Sequence, residues 1–264
     1  MKPIVITGDS HIGVLKRGYD RSPLAQGYDI LFEPIGSGAV AKEDFFNVNE
    51  EKKFVRVREL KKPDGTRLNK GRIFPIQSLR KQKKAAHYFV SLPLNTSRIL
   101  REYNWRTYVP WNLRQADWEI PLSEAAVAAL IQQDAQYACG FVEALVDVGL
   151  QVAVVEAPRF FSDSPYLEKH RLEVCSHISE RYRSYVKDRL RARDIDIVEQ
   201  PEETIAADGT TRMEYDHEGP KDVHHANVAF GRLMVERIVA MARAREPKSL
   251  FGSWKTPGRA ATSR

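Results

Sequence analysis

Ile4-Val5-Ile6-Thr7-Gly8-Asp9-Ser10 is the stretch that sets the fold class. Three branched apolar residues in a row suit a strand covered on both faces, and Gly-Asp-Ser stops it at once with a turn. The same unit, a short apolar run ended by polar or glycine-rich residues, recurs along the chain. Tyr28 to Phe32 ends in Glu33-Pro34-Ile35-Gly36-Ser37-Gly38, and Tyr88 to Leu92 ends in Pro93-Leu94-Asn95. Val152 to Val155 ends in Glu156-Ala157-Pro158, and a weaker run holds Ile195, Ile197 and Val198. Longer amphipathic stretches lie between them. Ser123 is placed to cap a helix with Val127, Leu130, Ile131, Ala138, Phe141, Val142 and Leu145 on one face, stopped at Gly149. Ser164-Pro165 is expected to open a second helix with Val174, Ile178, Tyr182, Val186 and Leu190 inward, and a last one starts near His225. Five runs alternating with helices predict an α/β domain with a five-stranded, mostly parallel sheet.

Two segments break this rhythm. Residues 44–73 hold the alternating Phe54-Val55-Arg56-Val57-Arg58 and the turn Pro63-Asp64-Gly65-Thr66, expected as an added hairpin. Residues 101–121 are rich in aromatics (Tyr103, Trp105, Tyr108, Trp111, Trp118) without a helical period, suited either to stacking on a sugar or to covering the core. The domain is expected to run over 1–245, with 246–264 a loosely ordered basic tail.

Composition narrows the function classes. The 264 residues are 42% hydrophobic and 29% charged, which excludes disorder, collagen-like repeats and a disulfide scaffold as the main state. No run approaches the roughly 20 apolar residues of a membrane span, so no membrane contact is expected. Cys139 and Cys175 stand far apart in helical patterns and are expected as reduced thiols of a cytoplasmic protein. Of the net charge of +6, five charges come from Ala242 to Arg264. The body is nearly neutral, so nucleic acid is not expected as a partner; oligomeric state is not readable.

In open parallel sheets, ligands bind beyond the carboxyl ends of the strands. Those ends carry Gly8-Asp9-Ser10, Gly36-Ser37-Gly38 and Asn95, and the loop before the last helix adds Asp222-Val223-His224-His225. A serine hydroxyl needs a base to take its proton, and a histidine base needs a carboxylate to hold its tautomer. Ser10, His225 and Asp222 supply the three. The Ser10 amide, an amide from Gly36 or Gly38, and the Asn95 side chain are candidates for an oxyanion hole.

This ordered set resembles the SGNH (GDSL-type) hydrolase family, over residues 4 to about 240. The resemblance implies a flavodoxin-like three-layer α/β/α sandwich and acyl hydrolysis or transfer on lipids, acetylated sugars, thioesters or small esters, with neither metal nor cofactor. It assigns Ser10, Asp222 and His225 as catalytic, and Ser10, Gly38 (or Gly36) and Asn95 to the oxyanion. The chain departs from the family pattern at His11, where leucine is usual, and at Pro93-Leu94-Asn95-Thr96, where Gly-x-Asn-Asp is usual. The expected function is an esterase for a small or carbohydrate-linked, acetyl-type ester.

Other uses of the same residues stay open. Ser10 with Asp9 can cap a helix, Asp222 can cap the last helix, Asn95 can close a turn, and His224 shares its neighbours with His225. An O-acyltransferase would use the same triad. Asp9-x-His11 with Asp216, His217, His224 and His225 offers ligands for a metallophosphoesterase, although that family's other blocks are missing. A non-catalytic binding module on the same fold is the remaining alternative.

Overall fold

In this computed structural model, the described residues are 2–61, 65–66, 69, 71–217, 219, 222 and 224–246. Five strands form the central sheet: β1 (Ile4–Gly8), β2 (Ile30–Pro34), β6 (His87–Ser91), β9 (Gln151–Val155) and β10 (Asp196–Val198). Their order is β10-β9-β6-β1-β2, and every neighbouring pair is parallel. This is the expected α/β architecture, in the flavodoxin-like order.

The side chains of each strand alternate between two cores. Ile4, Ile6, Phe89, Ala153 and Val155 pack on α1 (Ile12–Tyr19) and α6 (Val228–Ala244). Val5, Tyr88, Val90, Val152 and Val154 face the opposite way, toward α4 (Glu124–Asp147) and α5 (Leu172–Arg191). Helices on both faces make three layers. In register, Gly8 stands opposite both Pro34 and Ser91, so three strands end level and their loops emerge side by side.

The insertion is larger than a hairpin. β3 (Phe46–Asn49), β4 (Phe54–Val57) and β5 (Arg72–Phe74) form a three-stranded antiparallel sheet. Val55, Val57 and Phe74 bury into the core, and Phe45 and Phe46 pack on Phe141 of α4 with ring centroids 5.3 and 5.6 Å away. Of the expected turn, Pro63 and Asp64 lie outside the described residues. A short α2 (Gln77–Lys81) leads to β6, and α3 (Ser97–Glu102) follows it.

In the aromatic segment, β7 (Tyr108–Pro110) and β8 (Ile120–Leu122) form a small parallel pair. Trp105 is buried and its ring N–H donates to the Ile99 carbonyl at 2.7 Å, while Tyr108, Trp111 and Trp118 are exposed.

Two expected helix starts move. Ser164-Pro165 opens only a 3-10 turn (Pro165–Glu168), because the Ser164 hydroxyl accepts from the Phe161 amide; α5 begins at Leu172. The last helix begins at Val228 instead of near His225, because the Asn227 side chain accepts from the Ala229 and Phe230 amides. Ser123 does cap α4 and accepts from the Ala126 amide, and Gly149 ends that helix with φ +87°. Cys139 and Cys175 are free and buried. Among the described residues, no helix is long and apolar enough to cross a membrane. Glu246, the first residue of the expected tail, accepts from the Lys2 amide at 2.8 Å; the tail's residues 247–264 lie outside the described ones.

Candidate active site

The site begins where β1 stops. Gly8 has φ +138°, and a Cβ there would come within 2.0 Å of the Ser91 carbonyl oxygen, so only glycine lets β1 turn this close to β6. The Asp9 amide then donates to that same carbonyl. Asp9 is buried and its carboxylate accepts from the His11 amide at 3.0 Å and the Asn95 side-chain amide at 2.9 Å. This holds Ser10 outward at the head of α1. Its hydroxyl caps no helix: His11 stands at the cap position of α1 without a side-chain bond.

The Ser10 Oγ lies 2.8 Å from His225 Nε2. On the other side of the imidazole, Nδ1 lies 2.9 Å from each carboxylate oxygen of Asp222. Asp222 also accepts from the His225 amide at 3.1 Å, and Asn227, not Asp222, caps α6. The loop is tied down by a bridge between Asp216 and Ala226 and by the Asn227 amide donating to the Tyr215 carbonyl. With Nδ1–H aimed at the carboxylate, Nε2 is the atom left to accept the serine proton.

Gly38 and Asn95 border one cavity of about 280 Å³ with Ser10, and Gly36 does not. A Cβ on Gly38 would stand 3.3 Å from the Asp9 carboxylate and 3.7 Å from the Asn95 amide nitrogen. Arg98 of α3, paired with the buried Asp134 of α4 at 2.8 Å, donates to the Gly38 carbonyl and fixes that loop. Asn95 does close a turn, since its oxygen accepts from the Ser97 amide and hydroxyl, yet its amide nitrogen still faces the cavity wall beside Gly38.

Burial dominates the electrostatics. It pushes Asp9 up to about 6, against the lowering effect of its hydrogen bonds to Asn95 and His11. Burial and then the neighbouring His224 bring His11 down to about 3. Burial and then His11 also lower His225 below the ordinary histidine value. Burial raises Asp222, but the hydrogen bond and charge of His225 outweigh it and leave the carboxyl below the ordinary range. At neutral pH the set is therefore a neutral imidazole between a hydroxyl and a carboxylate.

His11 sits edge-on to His225 with ring centroids 4.7 Å apart, and neither of its ring nitrogens has a partner. Among the described residues, Asp222, His224 and His225 form the one group that places three metal-ligating atoms within 4.8 Å of one another. His217 Nε2 lies 3.5 Å from the Asp222 carboxylate and the His11 ring is beside His225, but neither they nor Asp9 and Asp216 join that group of ligating atoms. His224 lies against His225 with ring centroids 4.1 Å apart and planes tilted by 40°. None of the aromatics of 101–121 borders the cavity at Ser10.

No family model matches the chain, and neither does any curated protein. Solved structures similar to it include an acetyl xylan esterase, 10% identical over 90% of this chain and 98% of the other, with a TM-score of 0.45. A GDSL-like lipase from Bacteroides thetaiotaomicron is 10% identical over 91% and 87%, with a TM-score of 0.44. A carbohydrate acetylesterase from Sinorhizobium meliloti is 13% identical over 92% and 99%, with a TM-score of 0.41. No activity passes to this chain from likeness so distant.

Sequence reading missed Arg98, Arg101 and Tyr182 in the cleft wall. The arginines' spacing on the helix just after Asn95 was the available signal. It also left Glu156 as an ordinary strand end, whereas its buried carboxylate accepts from Arg183 at 2.7 Å and from the Gln200 amide at 2.7 Å.

Proposed function

We propose that the chain is a serine-dependent ester hydrolase of the SGNH type. The observation that carries this reading is the unbroken path from Ser10 Oγ through His225 to Asp222, at 2.8 and 2.9 Å. Ser10 attacks the ester carbonyl as His225 Nε2 takes its proton. Asp222 holds the imidazole in the useful tautomer and stabilises the imidazolium. The Ser10 and Gly38 amides and the Asn95 side chain receive the oxyanion. His225 then protonates the departing alcohol, and water activated by the same histidine releases the acid from Ser10. Polar groups on the cavity wall (Asp9, Ser37, Asn95, Ser97) suit a short, acetyl-type acyl group better than a long apolar chain. A sugar or other small alcohol in place of water would make the same steps an acyl transfer.

The test is hydrolysis of p-nitrophenyl acetate by wild type and Ser10→Ala with EDTA present, alongside a fluorophosphonate label. Turnover and labelling in wild type, with loss of about three or more powers of ten in Ser10→Ala, is the expected result. Turnover abolished by EDTA would transfer the chemistry to a metal held by Asp222, His224 and His225. Neither turnover nor label would favour a binding module.

A further inference from the structure

Beside the cavity at Ser10 lies a second one of about 250 Å³, and Arg101 and His224 border both. Its remaining wall is Pro165, Tyr166, Lys169 and His170. Arg101 comes from α3 and Lys169 from the segment just before α5, so the fold draws two cations from positions far apart in the chain to one hollow. Both are exposed, and among the described residues neither has a carboxylate at ion-pairing distance. The neighbouring acid on the cleft, Glu102, is already held by Lys42 at 2.6 Å. Arg101 spends its Nε on the Ser97 carbonyl at 2.9 Å, which steadies the guanidinium without neutralising it. The buried His170 Nδ1 has no hydrogen-bond partner, while His224 Nδ1 lies 3.9 Å from the Asp222 carboxylate.

Two unpaired cations around one hollow match an anionic group with several acceptor oxygens. Its place fixes which part of the substrate carries that group, given the hydrolase reading above. The carbonyl oxygen must face Gly38 and Asn95, and the leaving oxygen must face His225. His224, packed against His225, is the wall through which the second cavity adjoins that side.

We propose that this cavity is an anion subsite for the alcohol part of the ester, with Arg101 and Lys169 as specificity-determining residues. The preferred substrates are short-acyl esters of alcohols that bear a carboxylate or phosphate.

The experiment compares 4-acetoxybenzoate and 4-acetoxyphenyl phosphate with the uncharged methyl 4-acetoxybenzoate, in wild type, Arg101→Gln and Lys169→Gln. The ratio of kcat/KM, anionic over neutral ester, is expected to fall about tenfold in each variant, as for loss of one charge-assisted bond. Added salt should shrink the wild-type ratio in the same direction. The arm with the larger drop identifies carboxylate or phosphate. A methyl ester that is cleaved, with a ratio equal in all three proteins, would overturn the subsite and leave the hydrolase standing. If none of the esters is cleaved, calorimetric titration with 4-hydroxybenzoate and phenyl phosphate decides. Binding that weakens in the variants keeps the subsite and rejects the hydrolase, and no binding rejects the subsite.

Discussion

His11 is the residue at which this chain departs most sharply from the SGNH pattern, and its position has a thermodynamic consequence. Held at about 3 in the folded state against an ordinary 6.5, it stays neutral while the unfolded chain takes up a proton. Its share of stability is therefore complete above pH 6.5 and drains as pH falls toward about 3, by at most about 1.4 kcal/mol per pH unit. Asp9 acts in the other direction: raised from 3.8 to about 6, it makes the fold gain a proton before the unfolded chain does. Its burial cost thus grows as pH rises through that window. His11→Leu leaves the Asp9 effect in place and removes the histidine one. The stability of His11→Leu relative to wild type, read from urea midpoints, should rise steadily as pH falls below 6.5; a constant difference would refute the assignment. Asn95 is the second informative residue. Asn95→Ala should lower kcat by about a hundredfold or more, the loss of one oxyanion donor. Because Asn95 also donates to Asp9, thermal unfolding of the variant separates a lost donor from a lost loop.

At the scale of elements, the pairing of α1 with α6 decides how the proposed nucleophile meets its proposed base. One helix follows Ser10 and the other follows His225. They cross through glycines: a Cβ on Gly18 would fall 2.1 Å from the Gly231 backbone, and one on Gly231 would fall 2.3 Å from the Val14 carbonyl oxygen. Gly231→Ala must push the helices apart, at about 1–3 kcal/mol of overpacking. Activity should fall further than stability alone explains, because the displacement is felt between Ser10 and His225. Chemical denaturation beside kcat at saturating ester checks this, and unchanged kcat with lowered stability would contradict it. These glycines left no mark in the sequence, since a lone glycine inside a helical pattern carries no sign of what it touches. Helix starts were equally hidden: the Ser164 hydroxyl turns back to the Phe161 amide and caps no helix, whereas α6 starts where the Asn227 side chain bonds the first amides.

Taken whole, the molecule under the proposed mechanism makes its chemistry depend on a histidine kept neutral. His225, lowered by burial and by His11, accepts a proton only in its unprotonated form, so activity is full above its folded value and is lost as pH falls through it. The acid limb of kcat/KM should have its midpoint below 6.5, measured with an ester that does not titrate; a midpoint above that value would remove His225 from the role. The strands of this fold were legible because parallel strands buried on both faces read as continuous runs: β6, β9 and β10 lie within a residue of them, and β1 runs two residues past its own. The loops bearing Ser10, Asn95 and His225 were legible because strand ends gather where ligands bind. The choice of Gly38 over Gly36, and the company of Arg101 with Lys169, depend on how separate loops approach one another, which no local pattern records.

The nucleophile and its base are separated by almost the whole chain, and the glycine crossing of α1 and α6 joins the two ends of that interval. During synthesis Ser10 is made well before the helix against which α1 buries Ile12, Val14 and Leu15. A polypeptide interrupted anywhere before α6 would carry its serine with no proton acceptor and an uncovered apolar helix face. Under the proposed mechanism such incomplete chains lack a working triad, and they carry a sticky surface of the kind that quality-control chaperones recognise.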